Sequence, residues 1–492
     1  MRHIVGLLAS SALLLTGCGG GGGGSASSPT PTPVASAPAP SPTPSSTCSL
    51  ASRQTFAREV LDEWYLFPEL LVTSANPNSF TTVQGYIDAL TATARSQGKD
   101  RFFTFITSIA EENAFFASGA SAGIGIRLAI DTPARRVLIS ESFEGAPGLA
   151  AGIDRGDEIL AIGTSSANLR SVADIIAAEG SAGITNALGP STAGTTRLLR
   201  VARGGVSREV SVTKADFDLP AVSSRYGTRI IQDGGRQIGY INLRTFISSA
   251  DAPLRQAFAS FRSAGISEFI IDFRYNGGGL VSTAELMGDL LGGNRTSSDL
   301  FSGLRFRASK SSQDENTFFA PRAESVSPVK IAFIGTSATA SASELVVNSM
   351  APYLGRNLAL VGGNTFGKPV GQIALDRSAC DDRVRVVAFR SVNSRGGGDY
   401  FTGLASTLDV TCQAADDLTR PLGDPQEGSI RSALDFLAGR SCTAIALNGP
   451  AGNISGQSAI GAQSQHGMIA SDRELLVPAA PTPAQREVPG LF

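Results

Sequence analysis

Four short apolar runs lie between residues 216 and 445: Gln237–Leu243, Glu268–Phe273, Lys330–Gly335 and Leu358–Gly362. Stretches of helical spacing, around Leu254–Arg262 and Ala342–Tyr353, separate them. Strand–helix–strand alternation leaves few options: parallel strands joined by crossover helices that cover the sheet. The chain ahead of this region reads differently. Phe56, Val60, Leu61, Trp64 and Tyr65, then Val83, Ile87 and Leu90 after the turn Asn76-Pro77-Asn78, recur at helical spacing, which predicts a small helical domain over 48–115. Residues 120–214 predict a β-rich domain with strands at Arg136–Ser140 and Glu158–Ile162. It continues through a Gly/Ser/Ala-rich insertion at 179–195 and ends in a hairpin over Leu198–Val212 that turns at Gly204-Gly205. The expected fold class is multidomain α/β, and 492 residues leave room for it. Residues 446–492, rich in Gly, Ala, Ser and Pro, predict a weakly ordered tail.

Charge and histidine content narrow the function. Lys and Arg number 41 against 43 Asp and Glu, so no basic footprint for nucleic acid exists. The chain has two histidines, His3 and His466, and neither lies in a region that reads as folded. A Ser-His-Asp triad and a His-ligated zinc site are thereby disfavoured, and no metal or cofactor is expected.

Three loops carry the chemistry. The strand Ile331–Gly335 runs into the small residues Thr336–Ala340, and Ser341 then opens a helix. Free N–H groups at a helix N-terminus favour developing negative charge, so the Ala342 amide can face an oxyanion formed when Ser341 attacks a carbonyl. Ser341-x-x-Glu344 is equally a helix capping box, and the two roles are compatible. A serine hydroxyl needs a base, and the chain has five lysines: Lys99, Lys214, Lys310, Lys330 and Lys368. Lys368 lies in Gly363-Asn364-Thr365-Phe366-Gly367-Lys368-Pro369, directly after the strand Leu358–Gly362. A lysine serves as base when burial lowers its pKa. The third loop, Asp272-Phe273-Arg274-Tyr275-Asn276-Gly277-Gly278-Gly279, ends an apolar strand in three glycines that can aim amides at a reacting oxygen.

Taken together, Asp-Phe-Arg-x-Asn-x-Gly-Gly, Thr-Ala-Ser-Ala-Ser-Glu and Thr-Phe-Gly-Lys with Gln372 four residues on resemble the S41 peptidases, the carboxyl-terminal processing proteases. The resemblance spans roughly residues 50–445. It implies an α/β protease core of the crotonase-like type, Ser341 as nucleophile, Lys368 as general base and Gln372 as its positioner. The oxyanion hole would use the amides of Ala342 and of Gly278 or Gly279, with Glu344 supporting the helix. Gly277 stands where proline is common in that family, Pro369 follows the lysine where glycine is usual, and the Ser-to-Lys spacing is slightly long. Residues 120–214 resemble a PDZ domain, most specifically over Pro147–Ile162. That likeness implies that the loop Gly123-Ile124-Gly125-Ile126 offers its amides to a peptide's terminal carboxylate while the peptide adds as a strand.

The first residues read as an address. Arg2 precedes an apolar run, Ile4–Leu15, too short to span a bilayer comfortably. Leu15-Thr16-Gly17-Cys18 resembles the bacterial lipoprotein cleavage site, which implies diacylation of Cys18. Gly19 at the next position implies an outer-membrane destination facing the periplasm. Gly19–Gly24 and seven prolines from Pro29 to Pro44 make residues 19–47 a tether. Cys48, Cys380, Cys412 and Cys442 allow three pairings. The expected one joins Cys380 to Cys412 and Cys48 to Cys442, with four buried thiols as the alternative. The resulting expectation is a lipid-anchored serine endopeptidase of the cell envelope that cleaves exported or misfolded proteins recognised by exposed C-terminal segments. A non-catalytic lipoprotein that binds peptides or hydrophobic ligands on the same fold is the rival.

Overall fold

A computed structural model describes residues 46–447 and 473–492. The expected leader, the lipidation site Cys18, the tether up to residue 45 and His466 lie outside the described residues.

The four apolar runs are the inner strands of a six-stranded sheet in the order Thr228–Asp233, Arg236–Asn242, Glu268–Asp272, Lys330–Gly335, Leu358–Gly362 and Thr411–Gln413. The first pair is antiparallel and every other pair is parallel. Phe269, Ile271, Ile331, Phe333, Leu358 and Leu360 enter one core with the helices Asp251–Ser263, Val281–Leu291 and Ala342–Leu354. Ile270, Ala332, Ile334, Ala359 and Val361 enter a second core, covered by the helix Gly428–Leu437. Strands buried on both faces have no solvent side to mark with polar residues, hence the unbroken apolar runs. The parallel register also brings the loops after Asp272, Gly335 and Gly362 to one edge, where α/β sheets place their sites.

A second, antiparallel sheet centres on Asp382–Val392, which pairs with Val370–Arg377, Phe105–Ser108 and Leu300–Phe306. The helices Leu50–Trp64 and Val83–Leu90 bury Ala57, Val60, Leu61, Val83, Ile87 and Leu90 against Val370, Val384, Val386 and Val387 of that sheet. Residues 48–115 are therefore not a self-contained bundle. Their apolar stripe is completed by the sheet, and Phe105–Ser108 is one of its strands.

The β-rich region holds the strands Ile126–Asp131, Arg136–Ser142, Glu158–Gly163, Thr196–Arg203 and Val206–Thr213, with the helix Val172–Leu188 packed on them. That helix runs into the expected insertion as far as Leu188, broken by Gly180 at φ 66°.

Two further expectations are corrected. The disulfides are Cys48–Cys380 and Cys412–Cys442, with Cα–Cα distances of 5.5 and 5.3 Å, not Cys380–Cys412 and Cys48–Cys442. Cys380 sits in the turn between Val370–Arg377 and Asp382–Val392, where Arg377 Nη1 holds the Ser52 carbonyl at 2.7 Å and so draws the start of the first helix alongside. Cys412 lies on an edge strand of the other sheet, beside the segment that carries Cys442, fixed by the Gln413 amide donating to the Thr443 carbonyl at 2.7 Å. The second correction concerns the tail. Residues 473–492 are packed: Leu476, Val488, Leu491 and Phe492 are buried, and Glu474–Leu475 pairs with the Ile126–Asp131 strand.

Candidate active site

Ser341 caps the helix Ala342–Leu354 with φ 54° and ψ −115°, a conformation costly for a residue with a side chain. Backbone strain of this kind persists only where the surroundings impose it. Here the Ala340 amide donates to the Asn276 carbonyl at 3.0 Å, Ser343 Oγ donates to the same carbonyl at 3.2 Å, and Thr339 Oγ1 donates to the Phe273 carbonyl at 2.8 Å. The glycine loop and the serine loop are thus sewn together. A side chain at Gly278 would put its Cβ 2.7 Å from Ser341 Cβ and 3.1 Å from the Ala342 nitrogen, so glycine is required there for contact. The Gly278 amide donates to Asn276 Oδ1 at 2.9 Å, whereas the amides of Gly279 and Ala342 have no hydrogen-bond partner among the described residues. Beneath the loop Arg274, fully buried, is neutralised by Asp272, Asp416 and Glu427, each at 2.9 Å.

Glu344 binds the serine loop to the lysine loop. Its buried carboxylate accepts from the Ser341 amide at 3.0 Å and the Lys368 amide at 2.8 Å on one oxygen, and from the Gly367 amide at 2.7 Å on the other. Burial pushes this carboxyl above the usual range, and the Thr365 hydroxyl and these three amides hold it back. Ser341 and Lys368 are therefore backbone neighbours through one shared oxygen. Lys368 Nζ donates to Gln372 Oε1 at 3.0 Å, and Gln372 Nε2 donates to the Phe103 carbonyl. Burial lowers the pKa of Lys368, while the charges of Glu487 and Asp100 oppose the shift. Arg101 Nη2 clamps the carbonyls of Phe366 and Gly367 at 2.6 and 2.7 Å.

The structure thus packs Gly278 against Ser341 and Ala342, links the backbones of Ser341 and Lys368 through Glu344, and bonds Lys368 to Gln372; Lys368 lines a cleft together with Gly277, Ala338 and Ala340 of the two neighbouring loops. Gly123, Ile124, Gly125 and Ile126 lie in the β-rich region, at the start of its edge strand. Sequence reasoning missed Arg101 and Phe103, which arrive from the N-terminal segment, and Gln485–Glu487 of the tail, which line the cleft together with Lys368. The one available signal was a pair of short apolar runs, Leu475–Val477 and Leu491–Phe492, in an otherwise small and polar tail. Among the described residues no group of three His, Cys, Asp or Glu side chains is arranged to hold a metal ion.

Residues 237–404, which span all three loops, match Peptidase family S41. The matched segment is a serine-type peptidase domain, of the hydrolase class. Relatives include the chloroplastic C-terminal processing peptidase of Tetradesmus obliquus, 26% identical over 277 residues, covering 53% of this chain and 54% of that protein. The carboxyl-terminal-processing protease of a Picosynechococcus strain is 24% identical over 252 residues, covering 51% and 55%. The chain spans about half the length of the curated relatives it matches. A crystal structure from Bacteroides fragilis, described as an S41 protease, superposes with a TM-score of 0.61 over 78% of this chain and 97% of that one, at 22% identity. That likeness establishes the shared fold.

Proposed function

We propose that the chain is a serine endopeptidase working through a Ser341–Lys368 dyad. The observation that carries this reading is the shared Glu344 carboxylate, which binds the backbones of a strained serine and a half-buried lysine at the open end of the sheet. Neutral Lys368 Nζ takes the proton from Ser341 Oγ as Oγ attacks the substrate carbonyl. The oxyanion faces the amides of Ala342 and Gly279. Their lack of internal partners supports that role, and Gly278 contributes the close approach. Collapse of the tetrahedral intermediate expels the amine, which receives the proton from the Lys368 ammonium. Water then attacks the acyl-serine, again giving its proton to Lys368, and collapse of the second tetrahedral intermediate breaks the ester bond as the ammonium returns that proton to Ser341 Oγ and the acid product leaves. Gln372 Oε1 accepts one N–H of the amine and so sets the direction of its lone pair.

In this reading the β-rich region is a PDZ-like recognition module, and the edge of Ile126–Asp131 is where a substrate's C-terminal strand adds. Two disulfides, one closing a separation of 332 residues, support an oxidising compartment such as the cell envelope. Anchoring through a diacylated Cys18 at the outer membrane belongs to the same proposal. Among the described residues no helix is long and apolar enough to cross a membrane. The test is cleavage of reduced, unfolded casein by the wild-type chain and by Ser341→Ala and Lys368→Ala, with circular dichroism as the folding control. Both variants should be inactive while folded. Cleavage by folded Ser341→Ala refutes the assignment.

A further inference from the structure

The edge of the Ile126–Asp131 strand is already occupied, twice, by one segment. Glu474 and Leu475 lie opposite Ile130 and Ala129, and the Leu476 amide donates to the Leu128 carbonyl at 3.0 Å. The chain then leaves the edge and returns to it. The Leu128 amide donates to the Gly490 carbonyl at 2.9 Å, Leu491 bridges Arg127, and the Phe492 amide donates to the Ile126 carbonyl at 2.9 Å. The Phe492 carbonyl accepts from the Gly125 amide at 2.7 Å and the Ile126 amide at 3.1 Å, and its ring is buried with Ile124, Ile126 and Ile176. Both feet run antiparallel to the same strand, so the segment is one added strand with a loop of about a dozen residues thrown out from its middle.

That loop lands on the peptidase cleft. The Gly277 amide, in the glycine loop, donates to the Glu487 carbonyl at 3.0 Å. Arg486 stacks 3.8 Å over the Phe105 ring, and Val488 and Ala484 are buried in the core of the peptidase domain. Gln485 Nε2 donates back to the Leu491 carbonyl at 2.9 Å, tying the loop to its own second foot. Arg127, fully buried, joins all three parties. It pairs with Glu141 at 3.2 Å and donates to the carbonyls of Tyr275, in the glycine loop, and Pro489. The Glu487 carboxylate, half-buried near Lys368, favours the charged ammonium over the neutral amine that abstracts a proton.

We propose that residues 473–492 are an intramolecular strap: they fill the strand-addition edge and, through the same stretch of backbone, cover the Ser341–Lys368 cleft. A peptide that adds to residues 125–128 must displace Gly490–Phe492, and this draws Gln485–Glu487 off the cleft. Binding at one site thereby opens the other. The occupant that opens it is an extended peptide with a large apolar side chain for the pocket that holds Phe492 and an acceptor oxygen for the amides of Gly125 and Ile126. The gating half of this inference rests on the peptidase reading, and the occupancy half does not.

The test separates the halves with two readouts on the full chain. The first is anisotropy of a fluorescein-labelled Val-Pro-Gly-Leu-Phe peptide, a copy of residues 488–492. The second is the rate at which a fluorophosphonate labels Ser341. Phe492→Asp puts a charge in an apolar pocket and releases the strap without touching the cleft. It should bind the peptide at least tenfold more tightly than the wild-type chain and be labelled at least tenfold faster. Unlabelled peptide added to the wild-type chain should speed labelling in a saturable way. Deletion of residues 473–492, if the product folds by circular dichroism, should match Phe492→Asp in both readouts. Equal peptide affinity in wild type and Phe492→Asp overturns the strap. Tighter peptide binding with an unchanged labelling rate overturns the gate. Tighter binding with Ser341 unlabelled in every variant refutes the serine-nucleophile reading and the gate with it, and leaves the occupancy supported.

Discussion

Replacement of Glu344 by alanine separates two views of this residue. If Glu344 only caps the helix Ala342–Leu354, its loss costs about 1 kcal/mol and leaves chemistry almost untouched. The structure assigns it more. Three amide donors, those of Ser341, Gly367 and Lys368, converge on its two oxygens at 2.7–3.0 Å in a site without solvent exposure. Each buried donor left without an acceptor costs about 1–3 kcal/mol, so Glu344→Ala should destabilise the domain by at least about 3 kcal/mol. The effect on rate is separate, because under the proposed dyad the lost carboxylate also sets the spacing of Ser341 and Lys368. A displacement of about 1 Å between reacting groups costs about 100-fold in rate. The expected result for Glu344→Ala is a fall in kcat of that order with KM little changed. Glu344→Gln keeps one acceptor oxygen, turns an NH2 group toward an amide N–H, and should lie between wild type and alanine in both respects. The assay is steady-state cleavage of a fluorogenic peptide in the Phe492→Asp background, where the strap is released, with urea unfolding run in parallel. A destabilised but folded Glu344→Ala enzyme with wild-type kcat would refute the positioning role.

Further outcomes follow from the structure. Gly278→Ala introduces a Cβ 2.7 Å from Ser341 Cβ at a backbone φ of 120°, and should lower kcat by about 100-fold or more, in the range found when one oxyanion donor is lost; active Gly278→Ala would remove the loop from the reacting centre. In the proposed dyad Lys368 acts when neutral, so the rate should rise with pH through its pKa, which burial lowers, and the acid limb should have its midpoint below the ordinary lysine value of about 10.4. Because the Glu487 charge raises that pKa, Glu487→Gln should move the acid limb to lower pH, and an unmoved pH–rate profile would deny Glu487 any electrostatic hold on the base. Peptide mapping without reduction should recover Cys48–Cys380 and Cys412–Cys442, and Cys48→Ser should cost about 2–5 kcal/mol of stability; recovery of a Cys380–Cys412 peptide would contradict the fold.

The central sheet was legible because burial on both faces leaves its mark in consecutive residues. Glu268–Phe273 and Lys330–Gly335 read as strands with no knowledge of their neighbours, and each ends in the polar or small residues of a loop at the open end of the sheet. Ser341, Lys368 and the glycine loop were visible for a related reason: each sits within a few residues of a strand end. Glu344 was visible as a capping residue, since a cap is an i, i+3 relation. Its bonds to Gly367 and Lys368, 23 and 24 residues away, were not. The helices of residues 50–90 were legible, but the surface that receives them, Val370 and Val384–Val387, lies about 300 residues downstream. A stripe of apolar residues announces that something covers it without saying what.

Local chemistry, written over stretches of up to a dozen residues, determined the four inner strands of the central sheet, the helices Leu50–Trp64, Asp251–Ser263 and Ala342–Leu354, and the placement of a serine, a lysine and three glycines at loop positions, because propensity, periodicity and capping act between near neighbours. Three things were decided by tertiary structure alone: which cysteine faces which, which carboxylate joins serine to lysine, and where the last twenty residues lie. Each is a choice among partners far apart in the chain, made by which arrangement buries the apolar surface and satisfies the buried donors at once. The strap shows this most clearly. Its composition reads as loose, and it is held because the open edge of one sheet and the uncovered cleft of another domain lie within reach of a single stretch of backbone.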